Sequence, residues 1–318
     1  RARGMKIIAV DPRRVGIASQ ADILLQVRPG TDGALALALI HALIEQAQYD
    51  EAFVRAWTNG PFLLNCDTGA ALTEADLTAA GRPDRYVVWD KITQRPMIYD
   101  SLSGCYESDN IRPSLFGART VRDNKGAEIR CQPCFSALAN IAERYAPERS
   151  ETITWVPGKM VREAAHLLAA NRPASLYMWN GVGQHTNATQ TSRAIAALYA
   201  LLGNIDQAGG NVVFPRTPVN DVSGKEFLAK EIAAQRIGRA EKPLGPPAKP
   251  GNCAAYDVFN AILEERPYPV KALLNFGSNT VMSTADSRRA RQAFCALEIA
   301  VATELFMTPT AKLCDYVL

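Results

Sequence analysis

Apolar positions along this chain come in short runs, alternating with stretches in which apolar residues recur every three or four positions. The first run, residues 5–10, stops at Asp11-Pro12, the pattern of a short buried parallel strand. Residues 23–27 read as a second strand, ended by Arg28-Pro29-Gly30. Thr31-Asp32 then opens a helix reaching about Gln48, with Leu35, Leu39 and Leu43 on one face. Tyr49-Asp50 starts another helix over residues 51–57. From Gly60 to Ile129 the pattern dissolves into mixed runs rich in Asp, Arg and Gly, so residues 60–150 read as a surface excursion with a hairpin at 86–99.

Regularity returns at Pro157-Gly158. Met160, Leu167 and Leu168 mark a helix face that Arg172-Pro173 ends. Residues 176–179 predict a strand, 180–187 a glycine-containing loop, and 191–202 a helix stopped by Gly203. Residues 216–251 hold five prolines, with seven basic residues against four acidic, and read as a solvated loop or linker. Beyond it the pattern predicts a helix at 256–265 and a strand at 270–276. A loop at 277–283 follows, then a helix to about Phe294 and strands at 297–303 and 315–318. Strands alternating with helices imply the α/β class with parallel sheets. Two such domains are expected, residues 1–183 and 184–318, the first joining the strands at 5–10, 23–27 and 176–179 in one sheet.

Composition narrows the function classes. A formal net charge of +3 is far from the basic bias of a nucleic-acid binder. Three histidines without close spacing give little material for a His-based zinc site, and seven cysteines at irregular spacing do not form a disulfide framework. The apolar stretch at 34–44 is shorter than the roughly 20 residues needed to span a bilayer, so no membrane insertion is expected. The chain starts and stops close against apolar runs, which reads as a piece cut from a longer protein. Its compartment, cytoplasmic or periplasmic, is left open.

Candidate chemistry sits where the strands end, because open α/β sheets bind ligands beyond their carboxyl ends. Asp11 can accept from a ribose or base donor and Arg13 can face a phosphate, though Asp-Pro is also an ordinary turn. Pro29, Gly30 and Asp32 lie at a helix N-terminus, where free N–H groups and positive potential favour an anion. Asp32 itself would repel a phosphate. Its carboxylate suits either the two adjacent N–H donors of guanine or a helix cap worth about 1 kcal/mol, and the sequence leaves both open. In the 180–187 loop, Gly181 clears space while Gln184, His185 and Asn187 bring donors and acceptors that can read a pterin edge. A lone histidine such as His185 is more often structural. Gly277, Ser278 and Asn279, with Thr303 and Glu304, put small or polar groups at the ends of two later strands, where a second nucleotide could lie.

The series Val10-Asp11-Pro12-Arg13, Ala21-Asp22 and Arg28-Pro29-Gly30-Thr31-Asp32-Gly33 resembles the molybdopterin oxidoreductase family, which includes formate dehydrogenases and nitrate and dimethyl sulfoxide reductases. Further matches are Gly183-Gln184-His185-Thr186-Asn187, Leu202-Gly203-Asn204-Ile205-Asp206 with Gly209-Gly210-Asn211, and Thr308 with Thr310-Ala311 and Asp315. The resemblance implies two pterin-guanine dinucleotides around one molybdenum or tungsten, in an enzyme that moves an oxygen atom or two electrons. By this likeness Asp11, Arg13, Pro29, Gly30 and Asp32 hold the guanosine end of one dinucleotide, and Gln184 reaches its pterin. Gly277, Ser278, Asn279, Thr303 and Glu304 serve the other.

Three family features are missing from this sequence: an upstream cysteine cluster, the segment carrying the metal's protein ligand, and the closing C-terminal domain. A 4Fe–4S cluster is therefore expected only in an N-terminal part of the parent enzyme, and the catalytic residues are unassigned. Cys131-Gln132-Pro133-Cys134 lacks a second pair and reads as structural rather than as a metal site. The fragment alone is expected to be inactive, while the parent enzyme takes a small-molecule substrate and an electron-transfer subunit as partners. The rival is a cofactor-less scaffold subunit of a respiratory complex, disfavoured by the polar groups kept in the binding loops. A nicotinamide dehydrogenase is excluded by the lack of a Gly-x-Gly-x-x-Gly fingerprint after a strand.

Overall fold

In the computed structural model, which describes residues 4–215, 217–220, 222, 224–249 and 251–318, the first two apolar runs form β1 (Ile8–Val10) and β2 (Ile23–Leu25). They pair in parallel, Ile8 opposite Ile23 and Val10 opposite Leu25. The chain then enters α1 (Asp32–Glu45) and α2 (Glu51–Trp57), the latter capped by Asp50, whose carboxylate accepts the N–H of Phe53 at 2.9 Å. The expected leucine face of α1 is buried at Leu35, Leu39 and Leu43, but so are Ala36, Ala38, Ile40 and Ala42. The helix is therefore surrounded rather than amphipathic. Each buried leucine contributes about 1.5–3 kcal/mol, which makes α1 the mast of its unit.

Between α2 and α4 (Cys134–Glu143) lies the region expected to be an unpatterned excursion, and here the expectation is corrected. It holds β3 (Leu63–Asn65), α3 (Glu74–Leu77), β4 (Arg85–Trp89), β5 (Pro96–Asp100), β6 (Cys105–Tyr106), β7 (Arg119–Arg122) and β8 (Glu128–Pro133). These form two three-stranded antiparallel sheets, β3-β8-β7 and β4-β5-β6. Leu63, Leu72, Val87, Ile98, Val121 and Cys131 make one core beneath them. The hairpin expected at 86–99 is β4–β5, with Tyr86 opposite Tyr99. The pattern looked poor because charged residues that pair with one another interrupt the strand alternation here. Arg82 and Arg85 bond Glu74, Asp84 and Asp100 across the strands.

The chain returns through α5 (Pro147–Thr154) and α6 (Gly158–Ala170), which cover α1 through Val156, Val161, Ala164 and Ala165. A four-residue turn of helix, α7 (Asn180–Gly183), precedes α8 (Ala188–Leu201). The strand expected at 176–179 does not form. Tyr177 and Trp179 are 96% and 86% exposed, and the backbone of Leu176 bonds to the side chain of Asn211 instead of to a neighbouring strand. The parallel sheet of this unit thus has two strands, not three.

The expected boundary at 183/184 also moves. The chain forms two compact units, Arg1–Pro215 and Arg216–Leu318. The cause is α8, whose Leu201 packs with Ile40, Val54 and Phe135, while Leu202 joins the cluster around Leu35 and Leu39. A helix that closes the first core cannot belong to the second.

Of the expected linker, Arg216, Asp221, Ser223 and Pro250 lie outside the described residues. The rest carries α9 (Lys230–Ala234) and short 3-10 turns. The second unit then runs α10 (Ala255–Glu264), β9 (Ala272–Phe276), α11 (Thr280–Ser283), α12 (Ser287–Ala296), β10 (Ile299–Thr303) and β11 (Tyr316–Val317). Its sheet is parallel in the order β11-β10-β9, with Leu274 opposite Val301 and Val301 opposite Tyr316. Phe259, Ile262, Ala290, Ala293 and Phe294 pack against Ala300 to form its core. Both units are α/β, the first with an antiparallel insertion. Among the described residues no helix is long and apolar enough to cross a membrane.

Candidate functional site

In the first unit the two strands deliver their exits side by side. Asp11 N–H donates to Leu25 O at 3.3 Å, and Gln26 Nε2 donates to Pro12 O at 2.9 Å, so the Asp11–Arg13 turn is pinned to the end of β2. The Asp11 carboxylate accepts Arg13 N–H at 2.7 Å, which folds the turn locally and uses one of its oxygens. The Arg13 guanidinium is exposed and has no partner among the described residues.

After β2, Arg28 N–H donates to Thr154 O at 2.8 Å, and its guanidinium lies 5.3 Å from the Trp155 ring centroid. The chain reverses at Pro29-Gly30, closed by Thr31 N–H to Arg28 O at 3.1 Å. Gly30 has φ +84°, a conformation that favours glycine. A methyl group placed on it would stand 3.3 Å from His185 Nδ1. Likewise a methyl on Gly33 would stand 2.9 Å from Thr191 Oγ1. These glycines let the turn before α1 touch the loop before α8, so Gly30, Asp32 and His185 gather in one neighbourhood.

Asp32 is the first residue of α1, and among the described residues its half-buried carboxylate accepts no hydrogen bond and forms no ion pair. The N-cap is Thr31, whose hydroxyl donates to Arg28 O at 2.7 Å rather than capping the helix. Of the two uses open in the sequence, helix cap and ligand acceptor, the cap is removed. A charge unpaired at a helix N-terminus is favoured by the dipole by about 0.3–1 kcal/mol, and both its acceptors stay free.

The 180–187 loop is presented outward. Gly181 and Gly183 have open space where a side chain would stand, so nothing in the protein crowds that face of the loop. Gln184 is exposed, and its amide side chain has no partner among the described residues. Asn187 is the N-cap residue of α8, yet its side chain makes no capping bond. No hydrogen bond joins Gln184 or Asn187 to the Asp11 turn among the described residues.

In the second unit the carboxyl ends of β9 and β10 meet through Gly277 N–H, which donates to Thr303 O at 3.0 Å. Gly277 has φ +54° and open space around it. Ser278 and Asn279 are less free than their types suggest. Asn279 Oδ1 accepts the hydroxyl of buried Thr310 at 2.9 Å, and Ser278 Oγ lies 3.1 Å from Thr280 Oγ1. Buried Asn275 completes the network, donating to Ser278 O at 2.6 Å and accepting from Thr280 Oγ1 at 2.6 Å. Glu304 Oε1 accepts Leu305 N–H at 2.9 Å.

Asn275 and Thr310 are buried polar residues that hold this loop and that the sequence reading did not single out. The available signal was an asparagine inside an otherwise apolar strand run, since a buried amide needs partners. Cys131 and Cys134 stand apart from these loops. Burial pushes both thiols up to about 11, with the neighbouring Cys66 adding to the effect on Cys131.

A family model described as molybdopterin oxidoreductase matches residues 1–318. The dopamine dehydroxylase of Eggerthella lenta is 27% identical over 98% of this chain and 39% of its own length. The perchlorate reductase alpha subunit of Dechloromonas aromatica is 28% identical over 66% of this chain and 25% of its own. Among solved structures, acetylene hydratase from Pelobacter acetylenicus superposes over 100% of this chain and 37% of its own, with a TM-score of 0.68 at 23% identity. The chain therefore spans well under half the length of these relatives.

Proposed function

Given that this chain belongs to the molybdopterin oxidoreductase family, we propose that it is the cofactor-holding part of a molybdenum or tungsten enzyme with two pterin-guanine dinucleotides. The observation that carries this is the free carboxylate of Asp32 at the start of α1, beside the Gly30–His185 approach. Two adjacent N–H donors on guanine match two acceptor oxygens, and adenine offers no such pair. Around that point, Arg13 supplies an unpaired cation for a phosphate, and Asp11 and the Pro29-Gly30 turn shape the ribose end. Gly181 leaves room for the pterin and Gln184, flanked by His185 and Asn187, bonds its edge. Gly277, Ser278, Asn279, Thr303 and Glu304 take the second dinucleotide in the other unit.

When bound, the metal–pterin group supplies oxygen-atom or two-electron transfer. The residues named here bind and orient it, and none of them is assigned a catalytic step. The relatives' names span a reductase, a dehydroxylase and a hydratase, so no substrate is carried over. An electron-transfer subunit is the partner this chemistry calls for. A cofactor-less scaffold is the second reading, and it offers no partner for the two free oxygens of the Asp32 carboxylate.

The test is metal and nucleotide analysis of the purified full-length protein. Molybdenum or tungsten at one atom per chain with two guanine nucleotides is expected. Protein with neither, purified from cells making the cofactor, would instead support the scaffold.

A further inference from the structure

Residues 174–176 lead into the 180–187 loop, and side chains stand where a neighbouring strand would be. Leu176 N–H donates to Asn211 Oδ1 at 2.7 Å, and Asn211 Nδ2 donates to Leu176 O at 2.9 Å. Ala174 N–H donates to Asn204 Oδ1 at 3.1 Å, and Ser175 Oγ lies 2.9 Å from Gly209 O. The Tyr199 hydroxyl accepts Asn211 N–H at 2.7 Å. Its single proton is shared between Ala174 O at 2.6 Å and Asn204 O at 2.7 Å. Burial pushes the Tyr199 phenol up, against the lowering effect of the Asn211 N–H, so the hydroxyl stays a donor. Asn211 is held in turn by its own carbonyl, which accepts Asp206 N–H at 2.8 Å.

A donor and an acceptor offered to one residue's N–H and C=O are what an adjacent strand supplies. Among side chains of this length only a carboxamide carries both at fixed spacing: Asp has no donor when ionised and Ser has one atom. The bond is made four residues before Asn180, roughly 13 Å of extended chain from the loop. No other hydrogen bond from the body of the unit reaches residues 176–180 among the described residues.

We propose that Asn211 is a positioning residue for the 180–187 loop, its carboxamide replacing a strand at Leu176 and fixing where Gly181 and Gln184 are presented. The role rests on the reading that this loop meets the pterin. The Gly209-Gly210-Asn211 sequence then has a mechanical purpose: a methyl on Gly210 would stand 2.1 Å from Asn204 O, so glycine there lets the turn close and bring Asn211 to Leu176.

The experiment uses the full-length protein with Asn211→Leu and Asn211→Asp, at matched melting temperature. Amide exchange is followed by mass spectrometry in the peptide covering 174–180, and guanine nucleotide is counted per chain. The Leu variant should exchange at Leu176 roughly fivefold faster or more, and should lose about half of the bound nucleotide. The Asp variant, ionised at pH 8, keeps an acceptor for Leu176 N–H but has no donor for Leu176 O, so it should lose less nucleotide than the Leu variant and more than the wild type. Unchanged exchange in the Leu variant overturns the clamp. Faster exchange with full nucleotide overturns the positioning role, as does an Asp variant that loses as much nucleotide as the Leu variant. Wild-type protein with no guanine nucleotide sinks the proposed function and this role with it, while the exchange data still report on the clamp.

Discussion

Replacing Asp32 by Asn separates recognition from stability, because the structure assigns the two different magnitudes. The carboxylate bonds nothing among the described residues, so no internal hydrogen bond is lost there. What folding loses is one charge at the start of α1, about 0.3–1 kcal/mol, or a drop of at most about 2–4 °C in Tm. Guanine loses more. The amide puts an NH2 group against one of two N–H donors, and an unpaired donor costs about 1–3 kcal/mol. At about 1.4 kcal/mol per tenfold, retention of the dinucleotide at this site should weaken roughly 5- to 150-fold. Asp32→Ala should be at least as harmful. The assay is guanine nucleotide and molybdenum per chain in the full-length protein, after dialysis, beside a melting curve. A variant with Asn at position 32 that keeps its nucleotide would refute guanine recognition by this carboxylate.

Three further outcomes are expected. Gly30→Ala forces a side chain into φ +84° and toward His185, so it should cost about 1–2 kcal/mol and lower nucleotide content; a neutral melting temperature would contradict the close approach. Burial pushes the Asp90 carboxyl up, but N–H groups of Arg112, Thr93 and Ile92 and the Thr93 hydroxyl outweigh it and bring it down to about 2. Its stabilisation is therefore full above about pH 4 and lost as pH falls towards 2, and Asp90→Ala should flatten acid unfolding in that window while costing about 1–3 kcal/mol at pH 7. Cys131 and Cys134, held as neutral thiols, should react with iodoacetamide at pH 8 far more slowly than exposed Cys66, Cys105, Cys253 and Cys295. Stoichiometric zinc or iron lost on Cys131→Ser would show that the pair holds a metal.

The α/β class and most helices were legible because α1, α6, α8, α10 and α12 carry long periodic faces closed by Gly, Pro or cap residues. The strands of the second unit were legible as apolar runs, although only one face is covered: Leu274 and Phe276 of β9 are exposed while Ala300 and Ala302 of β10 are buried. Residues 176–179 make the same kind of run, yet exposure of Tyr177 and Trp179 shows that hydrophobicity alone does not supply a pairing partner. The antiparallel insertion was illegible because its strands are short and carry Asp and Arg residues that pair beside or between strands of one sheet, which erases the alternation that marks a strand. At the site, residue types at strand ends indicated the loops. The sequence could not show that Asn279 is already engaged by Thr310, because that contact joins residues 31 positions apart.

The insertion between α2 and α4 begins and finishes at one place. Phe135 N–H donates to Gly60 O at 2.9 Å, and Cys134 N–H donates to Phe62 O at 2.8 Å. Its two stems are thus already zipped together on the body, and whatever hangs beyond them closes a loop whose ends are fixed. Lengthening such a loop is cheap, since each doubling adds only about 0.6 kcal/mol of closure entropy. The β1, β2 and α1 framework that aims Asp11 and Asp32 is built without it, apart from Leu115, which packs beside Ile40. This makes the insertion a replaceable cartridge: its surface can be redesigned, or exchanged for one of another length, while the loops on the other strand ends keep their aim.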